Sequence, residues 1–284
     1  MLPIPAITCQ RATQVAEKLP SAPRVLAQLQ EMLQDTSNGI EEVTVLMRRD
    51  PGLTARVIRI ANGVVFGRGD GVVSLDEALA RVGFNEVFHI CGLASLVRLM
   101  NFELRFYGVS RPRLRENSLL SALLMEELAP GIGADRRACY TAGLLRSVGK
   151  VVLDATAQSD LRGVRPLPLG DRPLLEWERA WFGPTNTEVA EHVMKAWRIP
   201  FEVHVPVRDH YLHEMAVDPL PVAKLLHVVT QMVEERGLGL PGENRYWAAS
   251  ADRARAELQL SPVILAGAAD RAQVKFERLK GALA

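Results

Sequence analysis

Apolar positions recur at helical spacing along nearly the whole chain, and no stretch sustains the every-second-residue alternation of a half-buried strand. In 21–34, Val25, Leu26, Leu29, Met32 and Leu33 make one face behind Ser21 and Pro23, which cap and pre-set a first turn. A second helix is expected from Gly39 with Ile40, Val43, Leu46 and Met47. A third is expected from Asp50-Pro51 through Leu53, Val57 and Ile60, stopping at Asn62-Gly63. Ser74 and Glu77 read as the capping box of a short helix ending at Gly83, and Asn85 as the cap of a longer apolar one reaching about Met100.

Beyond a basic hinge over 101–115, helices are expected near 115–129, 136–154, 172–182, 186–197, 201–213, 220–236 and 261–282. Their punctuation is Asp171 then Pro173, a Thr185/Glu188 capping box, Gly237 as a stop and Ser261-Pro262 as a start. The glycines at 67, 69 and 71 follow a helix rather than a strand, so they read as a turn and not a phosphate loop. Residues 238–250 read as an exposed loop. The pattern predicts an all-α, multi-helical chain.

Composition narrows the function. The 284 residues carry Lys+Arg 34 against Asp+Glu 33, a formal net charge of +1, so no global field draws the chain to nucleic acid or an anionic membrane. Cys9, Cys91 and Cys139 are far apart and odd in number, which fits neither a disulfide framework nor a zinc knuckle; Cys91 and Cys139 read as small core residues. The start lacks a basic, apolar leader pattern and no long uncharged apolar run occurs, so a soluble cytoplasmic protein is expected.

Candidate chemistry is sparse. His192, His204, His210, His213 and His227 cluster late, and His210 and His213, three apart, could share a metal with Asp209, Glu214 or Asp218, though without a His-Glu-x-x-His order. The pairs Glu41-Glu42, Glu126-Glu127 and Glu234-Glu235 read as solvated helix faces, and Trp177, Trp181 and Trp197 as core anchors. No nucleophile elbow, Walker lysine loop or Cys–His order is readable, and no cofactor is expected.

Five separated motifs stand in order: Leu19-Pro20-Ser21-Ala22-Pro23, Arg49-Asp50-Pro51-Gly52-Leu53-Thr54, Ile60-Ala61-Asn62, Ser74-Leu75-Asp76-Glu77-Ala78 and Val82-Gly83. In this the chain resembles the HDOD family, the HD-related output domain of bacterial signalling proteins, from about residue 15 to 235. The resemblance implies an N-terminal helical part over 15–105 packed on a degenerate HD-like helical part over 106–240, with 241–284 left as a loop and C-terminal helix. It also implies a place for a metal: in active HD enzymes an early His, an adjacent His-Asp pair and a later Asp gather a divalent ion that activates water against phosphate.

At those places this chain has Asn117, Arg146-Ser147 and Thr230. A guanidinium cannot ligate a metal, and an ion of charge +2 placed 4 Å from it costs about 8 kcal/mol at an effective dielectric of 20. The inherited hydrolase mechanism is therefore not expected. Arg146 either pairs with a carboxylate or covers core with its stem, or it makes an anion pocket with Lys150, Ser147, Asn117 and Thr230.

The expected function is a non-catalytic regulatory output domain, akin to response-regulator outputs. It would act on signalling proteins of a two-component or cyclic-dinucleotide pathway and could answer an anionic ligand. The alternative is an HD-type metal-dependent phosphohydrolase with ligands relocated to Asp209, His210 and His213.

Overall fold

The computed structural model describes residues 7–19, 28, 32, 40–48, 51–62, 71–82, 84–160, 169–170, 172–212 and 218–281. All of the predicted helix over 21–34 except residues 28 and 32, most of the 63–73 turn and His213 lie outside them. The fold is all-α, and the described residues form no strand beyond a single antiparallel bridge between Leu104 and Val109.

The first helix, α1 (Cys9–Ala16), starts where the Thr8 side chain accepts the Arg11 N–H. It packs against later helices of the second part, and the Ile7 N–H donates to the Phe182 carbonyl at 2.8 Å. The N-terminal part consists of α2 (Ile40–Arg48), α3 (Pro51–Ala61), α4 (Leu75–Val82) and α5 (Phe84–Leu99). Asn62, from the Ile-Ala-Asn motif, exchanges hydrogen bonds with both backbone groups of Val72 at 2.7 and 2.6 Å, which closes the turn between α3 and α4. Ser74 caps α4 as expected, its Oγ accepting the Glu77 N–H, while the Glu77 carboxylate reaches one residue further back than a capping box requires, to the Val73 N–H.

Helix α5 is apolar all round, with Ile90, Cys91, Leu93, Ala94, Leu96 and Val97 buried, because it is packed from both sides. One side meets α3 and α4; the other meets α6 (Arg111–Leu128) and α7 (Arg136–Leu145). The basic stretch read as part of a hinge is in fact the start of α6. Arg115 is buried and donates to the Val97 and Met100 carbonyls, closing the C-terminal end of α5 where unpaired carbonyls and the negative dipole end favour a cation.

The second part is built around α6, α7 and α8 (Val148–Asp160), with α9 (Leu174–Phe182), α10 (Asn186–Ala196), α11 (Phe201–Asp209) and α12 (Pro221–Val233) around them. The Thr185/Glu188 capping box opens α10 as predicted. The apolar run over 136–154 is two helices, α7 and α8, interrupted at Arg146-Ser147; the pattern runs on because the residues on either side of the break stay buried.

Helices α6 and α7 approach closely at Gly143, where a Cβ would fall 2.7 Å from Ala122 Cα. Gly143→Ala is expected to cost about 1–3 kcal/mol by overpacking, while Gly267→Ala, on the last helix and meeting only the end of the flexible Arg271 side chain, gains about 1 kcal/mol from helix propensity. Urea melts of both variants check this; equal stability of Gly143→Ala and wild type would refute the close approach.

After α12 comes a wide turn over Glu234–Leu238 containing Gly237 at φ 73°, then α13 (Asn244–Glu257) and α14 (Pro262–Lys280). Ser261 caps α14 through the Ile264 N–H, as its Ser-Pro start predicts. The expectation of an exposed loop over 238–250 is overturned, since α13 begins at Asn244 and Glu243 and Trp247 are buried. Helix α14 lies along α6: Lys275 reaches Glu126 at 3.1 Å and Glu127 at 2.7 Å, and Arg271 reaches Glu127 at 2.7 Å. The Glu126-Glu127 pair is therefore a docking strip under α14, with His89 Nε2 of α5 also 2.9 Å from Glu126, and not a solvated face.

Candidate functional site

The break between α7 and α8 places Arg146 at the end of α7, 1% exposed, with its side chain directed into the second part. Helix α6 contributes Asn117, α8 contributes Lys150, and Tyr211 follows the end of α11. The Asn117 amide oxygen accepts from Arg146 Nε at 3.0 Å. The other side of the guanidinium meets Glu243 as a fork: Nη1 to Oε1 at 3.2 Å and Nη2 to Oε2 at 2.7 Å. Lys150 Nζ also donates to Glu243 Oε1, and the Tyr211 hydroxyl donates to that oxygen at 2.9 Å.

Glu243 precedes α13 but does not cap it, because its carboxylate turns away from its own helix toward the two cations. Burial would push the Glu243 carboxyl up, but the Arg146 and Lys150 charges overcome it and hold the group well below the usual carboxylate range. Burial likewise lowers Lys150, with Arg146 adding to the effect against the pull of Glu243. A second carboxylate, Glu178, acts on Lys150 through space; it is fully buried and accepts from the Asn186 backbone and side chain and from the Tyr107 hydroxyl. The cluster is thus an internal ion network whose charges and lone pairs are largely satisfied from within.

Of the positions singled out in the sequence, Asn117, Arg146 and Lys150 come together. Ser147 is buried with its Oγ unpartnered, and the Thr230 hydroxyl bonds back to the Leu226 carbonyl of its own helix at 2.7 Å; neither bonds to the cluster. Glu243 and Tyr211 complete the site and were not read from the sequence. The signal that could have found Glu243 is electrostatic: a buried arginine demands an acid, and the acid stands just after a Gly-Leu-Gly-Leu-Pro-Gly run that looks like surface.

These residues do not fit a divalent metal. A guanidinium and an ammonium cannot ligate a cation, the hydroxyl of Ser147 and the amide of Asn117 are weak donors, and the carboxylate of the cluster is already engaged by two cations. The alternative cluster is no better supplied. Asp209 is held by Arg208 at 2.5 Å, while His210 is buried, donates Nδ1–H to the Val207 carbonyl at 2.7 Å, and packs on Tyr211 and Trp247. Among the described residues no three His, Cys, Asp or Glu side chains converge as a metal-holding group.

The HDOD domain model matches residues 19–213, more than half of the chain, and the chain belongs to the HDOD family. The fold is similar to that of an HDOD domain protein of unknown function from Geobacter sulfurreducens, at 20% identity and TM-score 0.66, covering 98% of this chain and 99% of that one. It is also similar to a Shewanella amazonensis SB2B protein whose name proposes a phosphohydrolase, at 19% identity and TM-score 0.61, covering 96% and 98%. A Marinobacter aquaeolei VT8 protein whose name proposes a signal-transduction role matches at 21% identity and TM-score 0.69, covering 93% of this chain and 59% of that one. No curated protein matches the chain.

Proposed function

We propose that this chain is a non-catalytic signal-transduction domain, a regulatory output that works in the cytoplasm by binding signalling proteins of a two-component or cyclic-dinucleotide pathway. The observation that supports it is the Arg146–Glu243–Lys150 network, which fills with fixed cations and their own counter-ion the positions that the family resemblance assigns to HD metal ligands. Family membership supplies the signalling context, and the helix surfaces supply the means of engagement: Val263 and Val274 of α14 are 81% and 72% exposed. Among the described residues no helix is long and apolar enough to cross a membrane.

The test is metal analysis of chelator-treated protein re-exposed to manganese, with a screen of phosphate mono- and diester hydrolysis. Neither stoichiometric metal nor turnover is expected. Metal bound one to one and lost on His210→Ala, together with hydrolysis, would establish the phosphohydrolase alternative instead.

A further inference from the structure

Every donor to the Glu243 carboxylate lies between residues 146 and 211, inside the span that the family model matches, whereas the acceptor comes from beyond residue 213. Receptor and occupant are therefore separate parts of the chain. They are joined by the strap 238–243, which is flanked by Gly237 at φ 73° and carries Gly242 at φ 78°, left-handed conformations that a side chain would resist. The strap is otherwise pinned by two groups one helical turn apart on α6: Arg113 Nε donates to the Gly239 carbonyl at 3.0 Å, and the Asn117 amide donates to the Leu238 carbonyl at 2.7 Å.

A cleft of roughly 480 Å³ opens along the strap, lined among others by Ser110, Arg113, Glu234, Pro241 and Asn244. An incoming anion would meet Arg113 first; Asn117, one turn further along α6, already touches Arg146. Glu234 stands at the same edge. One of its carboxylate oxygens is buried without a partner, and its charge repels that of Glu243, which opposes closure.

We propose that Arg146, Lys150 and Tyr211 form a receptor for an oxyanion, that Glu243 occupies it as a tethered ligand, and that a competing carboxylate or phosphate group releases the strap. A guanidinium fork with an ammonium and a phenol is matched to two oxygens of one planar or tetrahedral anion, the arrangement Glu243 now satisfies. Tethering gives Glu243 a high effective concentration, so a free anion competes only weakly until the tethered charge is removed. This rests on the reading of the site as non-catalytic and deepens it.

The reporter is Trp247, one turn into α13, 2% exposed and stacked on the Tyr211 ring at 5.5 Å and 11°. Acrylamide quenching of wild type, corrected with Trp247→Phe, is followed against formate, acetate and inorganic phosphate, with chloride holding ionic strength constant. A saturable rise in quenching is expected in wild type, and the strongest of the three ions identifies the carboxylate or the phosphate as the preferred source. In Glu243→Gln the same anion should bind at a concentration about 10- to 100-fold lower, with a Tm rise of about 5 °C at saturation, and Arg146→Met in that background should abolish both.

The proposal is overturned if none of the anions gives a saturable response, or if the response survives Arg146→Met. Should Glu243→Gln fail to fold, the wild-type titration decides alone, and a flat response up to molar formate or phosphate refutes the receptor. Ester turnover would instead refute the non-catalytic reading while leaving anion competition standing, so the two failures are told apart.

Discussion

Glu243→Ala is expected to lower the free energy of unfolding by about 3–5 kcal/mol, among the largest effects of any single substitution in the chain, because it leaves two buried cations without their counter-ion. Much of that loss reflects stranded charge rather than the net worth of the pair. Replacing Arg146, Lys150 and Glu243 together by methionine, methionine and leucine should therefore recover stability to within about 1 kcal/mol of wild type or exceed it, since well-packed apolar groups escape the desolvation cost. Urea denaturation of the single and triple variants measures both. A triple variant more than about 1 kcal/mol less stable than wild type would mean that the network is a net stabiliser.

Acid should destabilise the protein well above the range of ordinary carboxylates, through two histidines near this network. His210 and His227 are buried neutral, with burial the main cause, and their folded values fall from 6.5 to about 3 and about 4. Above pH 6.5 neither state takes the proton and the two groups contribute nothing to the pH dependence. As pH falls through 6.5 the unfolded chain binds protons that the native state refuses, so stability is lost progressively toward those folded values.

At pH 4.5 each histidine accounts for a loss of about 2–3 kcal/mol at 1.36 kcal/mol per unit. Asp154 works in the opposite direction: desolvation raises it from 3.8 to about 6, so the native state gains from its protonation as pH drops below 6. The raised His89, Glu178 and Glu234 act in the same direction as Asp154 and the lowered His204 acts with the two histidines, so the share carried by His210 is read from its own variant. His210→Asn, which retains a donor for the Val207 carbonyl, should flatten the pH dependence by about 2–3 kcal/mol between pH 6.5 and 4.5 in urea melts. An unchanged slope would place the acid sensitivity elsewhere.

The helical class and most helix starts were legible because they depend on local chemistry. Thr185 with Glu188, Ser74 with Glu77, and Ser261 before Pro262 each satisfy backbone donors within a few residues, and the structure forms all three. Long-range pairings were not legible. Glu126-Glu127 has the composition of a solvated face and is covered only because Arg271 and Lys275, far along the chain, reach it.

The break at Arg146-Ser147 was likewise hidden, since both sides of it are apolar and the periodicity carries no mark of a change in helix direction. Within the site, Asn117, Arg146 and Lys150 were singled out in the sequence and come together, but Glu243 was not: glycine and proline around it signal turn chemistry at 237–242, and nothing local says that the turn delivers a charge into the core. His210 shows the same limit in the other direction. Its spacing to His213 suggested ligation, whereas its aromatic neighbours Tyr211 and Trp247 make it part of the packing.

The carboxylate that neutralises Arg146 comes from beyond residue 213, so the domain, as its family delimits it, is not self-sufficient in charge. The two regions are bound together by charge. A chain with histidine at position 146 would face Glu243 across a dry core without the guanidinium that accommodates it, and one without Glu243 would strand two cations. Neither region can change alone without an unstable intermediate, so the buried ion network acts as a ratchet on sequence change.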